Sequence, residues 1–241
     1  MSWFSFRGID SSTMGVLLLE RKWDLCGKTR SQFLSIPGLD GSLTVPQARE
    51  DITMTLRCAV LSDSDADLQT AAHELAAWLF GSGELVFWGA PQQTRSACVL
   101  SVSSFESFEK WGEFQVTLRC APYAMGSETT VEINQSVSFE GTAPSRGAFS
   151  FSLSSDANLI VLACTAGNVT LRGSFLEGDA FVINTQTGAV WRNGQVQNEL
   201  VQVGSRFFEV PVDTTFLHLL CKNGDLSAYP EGVYAYRPRW Y

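Results

Sequence analysis

The chain has 241 residues, of which 45% are hydrophobic and 17% are charged, so it has ample apolar side chains for folded cores and lacks the composition of a disordered protein. At this length two compact domains are the natural expectation. The formal net charge of −8 disfavours nucleic acid or an anionic membrane as the main partner, because phosphate binding needs a concentrated basic surface.

Alternation of apolar and polar residues dominates the first half of the chain and predicts β-strands. Residues 52–58 and 114–120 both alternate with a period of two, and both end in Thr-Leu-Arg-Cys. Because successive side chains of a strand point to opposite faces, each run is expected to be a half-buried strand. We interpret the two as strands of similar environment and leave their pairing open.

One segment of the first half changes to helical spacing. From residue 67 to 80, leucines and alanines recur every three or four positions, which predicts one amphipathic helix at about 66–80. Candidate N-caps precede it, namely Asp63, Ser64 and Asp65. The acidic residues of this segment also partly match a calcium-binding loop, but Leu68 stands where such a loop requires glycine, so capping is the preferred interpretation.

The second half shows many short strand-like runs without any helical pattern. Pro122 and Gly126 interrupt the pattern after Cys120 and suit a linker. Many short strands that are separated by turns at short intervals indicate a β-sandwich. We therefore expect a mainly β protein with two domains, at residues 1–126 and 127–241.

Three features of the sequence indicate where the protein is located: its apolar runs, its first residues and its cysteines. No apolar run approaches the roughly 20 residues that span a bilayer, and Arg7 and Asp10 interrupt the pattern of a signal peptide. We expect that the chain does not insert into a membrane. We also expect that it assembles in the cytoplasm. The cysteines lack the close pairs of zinc sites and are interpreted as reduced, buried thiols; they are Cys26, Cys58, Cys98, Cys120, Cys164 and Cys221.

Four short segments carry a resemblance to a known family. They are 4–15 (FSFRGIDSSTMG), 35–43 (SIPGLDGSL), 121–123 (APY) and 178–194 (GDAFVINTQTGAVWRNG). In this order they resemble the distal tail protein (Dit) family of long-tailed, non-contractile, siphovirus-type bacteriophages or prophages. The resemblance implies a structural protein of the virion tail tip. It would form a ring, usually a hexamer, that joins the tail tube to the tail tip or baseplate.

The same resemblance implies an architecture and a set of partners. The family combines an N-terminal β-sandwich "belt" domain, which carries one helix and a long β-hairpin, with a galectin-like C-terminal β-sandwich. The implied partners are further copies of the chain, the tail tube protein, a tail-tip or tail-associated protein and a receptor-binding protein. The hairpin would fall near residues 25–46 and pack on the neighbouring subunit. Interface residues are therefore expected at Phe33, Ile36, Pro37, Gly38, Asp40, Gly41 and Leu43.

Candidate catalytic residues are few. His73 and His218 are the histidines, and neither accompanies a nucleophile elbow, a zinc motif or a glycine-rich phosphate loop. Two carboxylates can hydrolyse a sugar only when a suitable distance separates them in space, and the sequence does not give this distance. We interpret Glu177 and Asp179 as residues of an ordinary turn. We expect no catalytic, cofactor or metal site. An enzyme that acts on cell-wall polymers is therefore the third hypothesis, after a structural tail protein and a carbohydrate-binding module.

Aromatic residues in the second half support an alternative function. Sandwich domains can stack sugars on exposed aromatic rings, although most aromatic side chains serve cores or interfaces. The alternative is a carbohydrate-binding module that contributes to adhesion at the host surface. Its candidate glycan contacts are Trp191 and Tyr229.

Overall fold

The computed structural model describes residues 3–38, 40–108 and 110–241. It is mainly β, and its described residues contain one α-helix, so the predicted fold class is confirmed. The chain divides into two compact units. The first runs to Met125 and includes Tyr241, and the second spans Gly126–Trp240. No helix in the described part of the chain has the length and apolar character needed to cross a bilayer.

The elements of the first unit are, in chain order, β1 (Phe4–Phe6), β2 (Ile9–Asp10), β3 (Val16–Trp23), β4 (Thr29–Leu34), β5 (Leu43–Arg49), β6 (Ile52–Leu61), α1 (Asp65–Trp78), β7 (Ser82–Phe87), β8 (Thr94–Val102), β9 (Glu106–Phe108), β10 (Trp111–Cys120) and β11 (Ala124–Met125). Their main sheet has the strand order β2-β1-β7-β8-β10-β6-β3, with β9 beside β10 and β11 beside β8. Strands β4 and β5 form a separate two-stranded sheet.

The two strands that end in Thr-Leu-Arg-Cys are antiparallel neighbours at the centre of the main sheet. Strand β6 pairs along its full length with β10, and Leu56 lies opposite Val116. Both of these side chains are buried in the core. On the other face Arg57 forms an ion pair with Glu113 at 2.7 Å, and this bond lowers the pKa of the Glu113 carboxyl. The period-two pattern thus separates a core face from a polar face.

Helix α1 covers the core with its leucine and tryptophan stripe. Leu68, Leu75 and Trp78 are buried, and the Trp78 indole nitrogen donates to the carbonyl oxygen of Phe6 at 3.0 Å. The helix ends at Trp78 rather than at residue 80. Ser64 is its N-cap, because the Ser64 hydroxyl accepts a hydrogen bond from the Asp67 amide at 3.2 Å. The segment that partly matches a calcium-binding loop is therefore helical from Asp65 onward and does not form the non-helical loop that such a site needs.

Replacing the cap should weaken α1. We expect Ser64→Ala to lower the free energy of unfolding by about 1 kcal/mol, because the Asp67 amide loses its acceptor. Ser64→Asp should retain wild-type stability, since aspartate is an equally good cap and its charge suits the helix dipole. Urea unfolding of the three proteins tests this. Equal midpoints for Ser64→Ala and wild type would show that the cap contributes nothing.

The elements of the second unit are β12 (Thr129–Glu132), β13 (Gly147–Ser152), β14 (Ala157–Cys164), β15 (Gly167–Phe175), β16 (Ala180–Asn184), β17 (Ala189–Arg192), β18 (Gln195–Val196), a 3₁₀ helix (Asn198–Leu200), β19 (His218–Asn223), β20 (Leu226–Ala228), β21 (Gly232–Tyr236) and β22 (Arg239–Trp240). One sheet has the order β12-β21-β13-β16-β17-β18, and the other β15-β14-β19-β20.

The two sheets of the second unit enclose one core, as in a β-sandwich. Buried residues from both sheets form a single cluster. At its centre the Tyr234 ring stacks on Phe149 with centroids 4.4 Å apart, and the Tyr234 hydroxyl donates to the Ser145 carbonyl oxygen. Burial raises the pKa of Tyr234, so this hydroxyl keeps its proton. The predicted sandwich of the second half is confirmed.

Candidate assembly surfaces

The most prominent candidate surface is the hairpin formed by β4 and β5. Phe33 lies opposite Thr44, and Leu34 lies opposite Leu43, next to the connecting segment. Gly38 and Gly41 in this segment have φ values of 84° and 86°, a region that side chains disfavour, so the Pro-Gly-x-Asp-Gly run fits the turn. Leu39 lies outside the described residues.

The hairpin exposes apolar side chains on its strands and turn. Phe33 is 66% exposed, and Leu34, Ile36 and Leu43 are also exposed. Every predicted interface residue is exposed on this hairpin: Phe33, Ile36, Pro37, Gly38, Asp40, Gly41 and Leu43. A contiguous exposed apolar surface indicates an interaction site in a soluble protein. Their contact with a neighbouring subunit stays a prediction.

The base of the hairpin is closed by hydrogen bonds between its two ends. The Glu50 amide donates to the Lys28 carbonyl oxygen at 2.7 Å, and the Arg49 guanidinium donates to the Gly27 carbonyl oxygen at 3.3 Å. Arg49 also lies over the Tyr241 ring, 4.4 Å from its centroid. Gly27 is buried, and a Cβ atom there would lie 2.0 Å from the Glu50 carbonyl oxygen. The base therefore requires glycine.

A second surface of the first unit is an apolar groove between α1 and β8. Its volume is about 610 Å³. Phe80, which follows the helix, is 78% exposed, and Leu100 on β8 is 58% exposed. We call it the helix groove; its apolar lining is Ala72, Leu75, Ala76, Leu79, Phe80, Val99, Leu100, Val102, Phe105 and Phe114.

A third surface combines aromatic rings with a guanidinium group. Arg21 lies 4.2 Å from the ring centroids of both Trp23 and Phe87. Trp3 and Trp88 border the same concavity, and Trp88 is exposed. Burial of the guanidinium lowers the pKa of Arg21. We call this surface the aromatic patch, and its composition of Trp and Arg is typical of protein interfaces.

The second unit has a broad concavity of about 1280 Å³ on its larger sheet. Tyr229, which is 66% exposed, lines it together with Glu132, Glu231 and Ser150. Trp191 is half-buried and does not line this concavity. The structure therefore does not bring the two predicted glycan contacts into one site, and both stay predictions.

The chemistry-bearing side chains are dispersed. His73 is exposed on α1, and the His218 ring packs 4.3 Å from the Phe216 ring. No cluster of three or more metal-ligating side chains occurs in the described ranges. Burial raises the pKa of Cys58 to about 12, so its thiol stays protonated at neutral pH. The expectation that the cysteines are buried is wrong for Cys26, which is exposed, and for Cys98 and Cys164, which are half-buried.

Two family models match most of the chain, one in each half. A phage tail protein RIFT-related domain matches residues 13–120, and a siphovirus-type tail component C-terminal domain matches residues 140–240. The chain belongs to the distal tail protein family of siphoviruses. The resemblance in the four short segments is thereby confirmed.

A solved structure shows the same fold for this distal tail protein. The crystal structure of Dit from phage SPP1, described as a paradigm of the hub adsorption apparatus in phages that infect Gram-positive bacteria, is 13% identical. The similarity covers 100% of both chains with a TM-score of 0.73. A chain of the phage P2 baseplate in its activated conformation with Ca is 9% identical over 98% of both chains, with a TM-score of 0.42. No curated protein matches.

Sequence reasoning found the hairpin but missed the helix groove and the aromatic patch. The groove joins residues of α1 with residues of β8 and β10 that are more than twenty positions away in the chain. One signal was available for the groove, namely the apolar row of Ala72, Ala76 and Phe80 at spacings of four residues. The aromatic patch likewise depends on Trp3, β3 and the end of β7 meeting at one surface.

Proposed function

We propose that this distal tail protein, a structural component of the phage tail hub, closes into a ring, with six copies as the expected number. The observation that carries the ring is the projecting hairpin with its exposed Phe33, Ile36 and Leu43. Such a surface suits burial against another molecule. The first unit also carries a different exposed apolar surface, the helix groove. Contact between unlike surfaces of identical copies is heterologous and closes a ring when the rotation fits.

The experiment is to determine the oligomeric state of the purified protein. We expect species several times the 26.4 kDa mass of one chain in light scattering, and sixfold rings in negative-stain images. Because ring closure can require a template, the protein is also incubated with isolated tail tubes. A strict monomer that forms no rings even on tail tubes would contradict the proposal.

The proposed partners and location follow from this ring. One face would bind the tail tube, the other a tail-tip or tail-associated protein, and a receptor-binding protein would attach to the second unit. The ring would lie at the virion tail tip after assembly in the host cytoplasm. We propose a role in assembly without enzymatic activity. Domains at residues 1–126 and 127–241 suit two separate roles, ring formation by the first and partner binding by the second. The second domain would be the galectin-like sandwich.

A second candidate function is glycan binding by the concavity of the second unit. The observation that favours it is the exposed Tyr229 ring beside the Glu132 and Glu231 carboxylates and the Ser150 hydroxyl. An aromatic face can stack on a sugar ring, and carboxylate and hydroxyl oxygens can accept hydrogen bonds from sugar hydroxyls. Such binding would add an adhesive function to the ring.

Replacing the aromatic ring tests this second function. If the concavity binds host glycans, we expect saturable signal on a glycan array that falls at least about tenfold with Tyr229→Ala, a loss of about 1.4 kcal/mol. Leu226→Ala, at another exposed residue of the second unit, is the matched control. An absent signal in the wild-type protein, or an equal signal in Tyr229→Ala, would reject glycan binding at this site.

A further inference from the structure

The floor of the concavity in the second unit carries hydroxyl groups. In residues 149–154 (FSFSLS), every second side chain is buried in the core: Phe149, Phe151 and Leu153. Successive side chains of an extended chain point to opposite faces, so the others line the concavity: Ser150, Ser152 and Ser154. No hydrogen bond joins these three hydroxyl groups to another residue in the described part of the chain. They are therefore available to a ligand.

One end of the concavity combines an aromatic ring with two carboxylates. Tyr229 is 66% exposed, and Glu132 and Glu231 are exposed residues of the same lining. Strands β12 and β21 are antiparallel neighbours, and Glu132 lies opposite Val233, two positions after Glu231. The Gln135 amide group donates to the Glu132 carboxylate, and neither carboxylate forms an ion pair with a described residue. The two negative charges thus stand on adjacent chain segments without a compensating cation.

The charge of the concavity decides which ligands suit it. Its described lining contains no lysine, arginine or histidine. Residues 126–240 as a whole carry eleven acidic and seven basic residues. A phosphate or carboxylate group in the concavity would meet like charge, which is unfavourable. An ammonium group would meet opposite charge and would also be attracted to the face of the Tyr229 ring.

We propose that this concavity binds glycans with free amino groups, and that Glu132, Glu231 and the Tyr229 ring hold the ammonium group. The serine hydroxyls of the floor would form hydrogen bonds with the sugar hydroxyls. This inference rests on the second candidate function, glycan binding, and names the class of glycan. It does not depend on the ring.

The dimensions of the floor favour a chain of sugars over a single sugar. Alternate residues of an extended chain lie about 6.8 Å apart, so Ser150 and Ser154 are separated by about 14 Å. The concavity volume of about 1280 Å³ exceeds the roughly 300–1,000 Å³ of pockets that enclose a small molecule. An oligosaccharide can therefore contact the serine floor and the acidic end at the same time.

A basic segment of another protein is the competing ligand, because a lysine side chain also carries an ammonium group. The composition of the lining argues against it. The cores of protein interfaces are enriched in aromatic and other apolar side chains, whereas this floor presents three serine hydroxyls. Tyr229 is the one exposed aromatic residue in the described lining. The lining thus suits a polar ligand with one stacking position.

Calorimetry with four defined ligands tests the inference. The full chain is titrated, in mildly acidic buffer that keeps amino groups protonated, with hexamers of glucosamine, N-acetylglucosamine, galacturonic acid and lysine. We expect the glucosamine hexamer to bind at least about tenfold more tightly than its acetylated counterpart, and the galacturonic acid hexamer not to bind.

The other outcomes separate the inference from glycan binding itself. Equal affinities for the glucosamine and N-acetylglucosamine hexamers, or a preference for galacturonic acid, would overturn the amino-group inference and leave glycan binding in place. Absence of binding by all three saccharides would contradict both. Hexalysine that binds as tightly as the glucosamine hexamer would show a docking site for a basic protein segment, and the inference would again be wrong.

Substitution of the two carboxylates provides an independent measurement. We expect Glu132→Gln and Glu231→Gln each to weaken binding of the glucosamine hexamer about fivefold and to leave binding of the acetylated hexamer unchanged. Both residues are exposed, so the fold should tolerate these changes. Glu199→Gln, at an exposed carboxylate outside the concavity, is the matched control. Wild-type affinity for the glucosamine hexamer in both variants would overturn the inference.

Discussion

We expect Gly27→Ala to lower ring formation strongly while the first unit remains folded. The new Cβ atom would lie 2.0 Å from the Glu50 carbonyl oxygen and 3.1 Å from the Glu50 carbonyl carbon, distances that require the backbone to move. This movement would break the hydrogen bond between the Glu50 amide and the Lys28 carbonyl oxygen at the base of the hairpin. The hairpin would then project in a different direction and miss its neighbour.

The measurement is the fraction of protein in rings at a fixed concentration, with circular dichroism and thermal unfolding as tests of folding. We expect the fraction to fall at least about tenfold, which corresponds to about 1.4 kcal/mol of association free energy. The matched control is Gly167→Ala in the second unit, because a Cβ atom there would lie at ordinary contact distances of 3.6 Å from its neighbours. A folded Gly27→Ala protein with a wild-type ring fraction would show that the base of the hairpin does not set its direction.

The periodic segments were predictable because their patterns are local. Leu56 and Cys58 alternate with polar neighbours in the sequence, and the structure buries both side chains in the core. The leucine spacing of α1 similarly predicted the buried Leu68 and Leu75. A local pattern cannot supply the pairing of distant strands, so the sequence alone does not predict the antiparallel contact of β6 with β10.

The hairpin illustrates what turn chemistry predicts and what it omits. Glycine and proline near positions 37–41 indicated a turn, and Gly38 and Gly41 have the positive φ values that favour glycine. The apolar residues around this turn have the same composition as a core strand. Only the tertiary structure shows that Phe33 and Leu43 are exposed, because exposure depends on where the hairpin lies relative to the main sheet.

The polar network around Asp179 was not predictable from spacing either. The sequence suggested an ordinary turn at residues 177–179. In the structure the Asp179 side chain is only 9% exposed and pairs with the Arg192 guanidinium at 2.5 and 2.9 Å. The amide of Leu176 and the side chain of Asn193 also donate to this carboxylate. The carboxylate therefore organises the turn before β16 and the end of β17.

Removal of the Asp179 carboxylate should be among the most destabilising single substitutions in the second unit. Asp179→Ala leaves the Arg192 guanidinium, the Leu176 amide and the Asn193 amide group without their acceptor. We expect a loss of about 2–4 kcal/mol, because breaking a buried ion pair leaves a poorly solvated charge. Denaturant unfolding, with hydrogen exchange at β16 and β17 to locate the effect, measures this loss. The control is Glu177→Ala, which removes an exposed carboxylate from the same turn.

We also expect the stability difference between wild type and Asp179→Ala to depend on pH. Burial alone would raise the pKa of Asp179, but hydrogen bonds from the Leu176 amide, Arg192 and Asn193 outweigh it and hold the pKa below its usual value. A depressed pKa stabilises the fold above the unfolded-state pKa of about 3.9, and this contribution is lost as pH falls through the folded-state pKa. The difference between wild type and Asp179→Ala should therefore be constant from pH 5 to 7 and shrink below about pH 4. A difference that is unchanged at pH 3 would mean that packing, and not the ionised carboxylate, stabilises this turn.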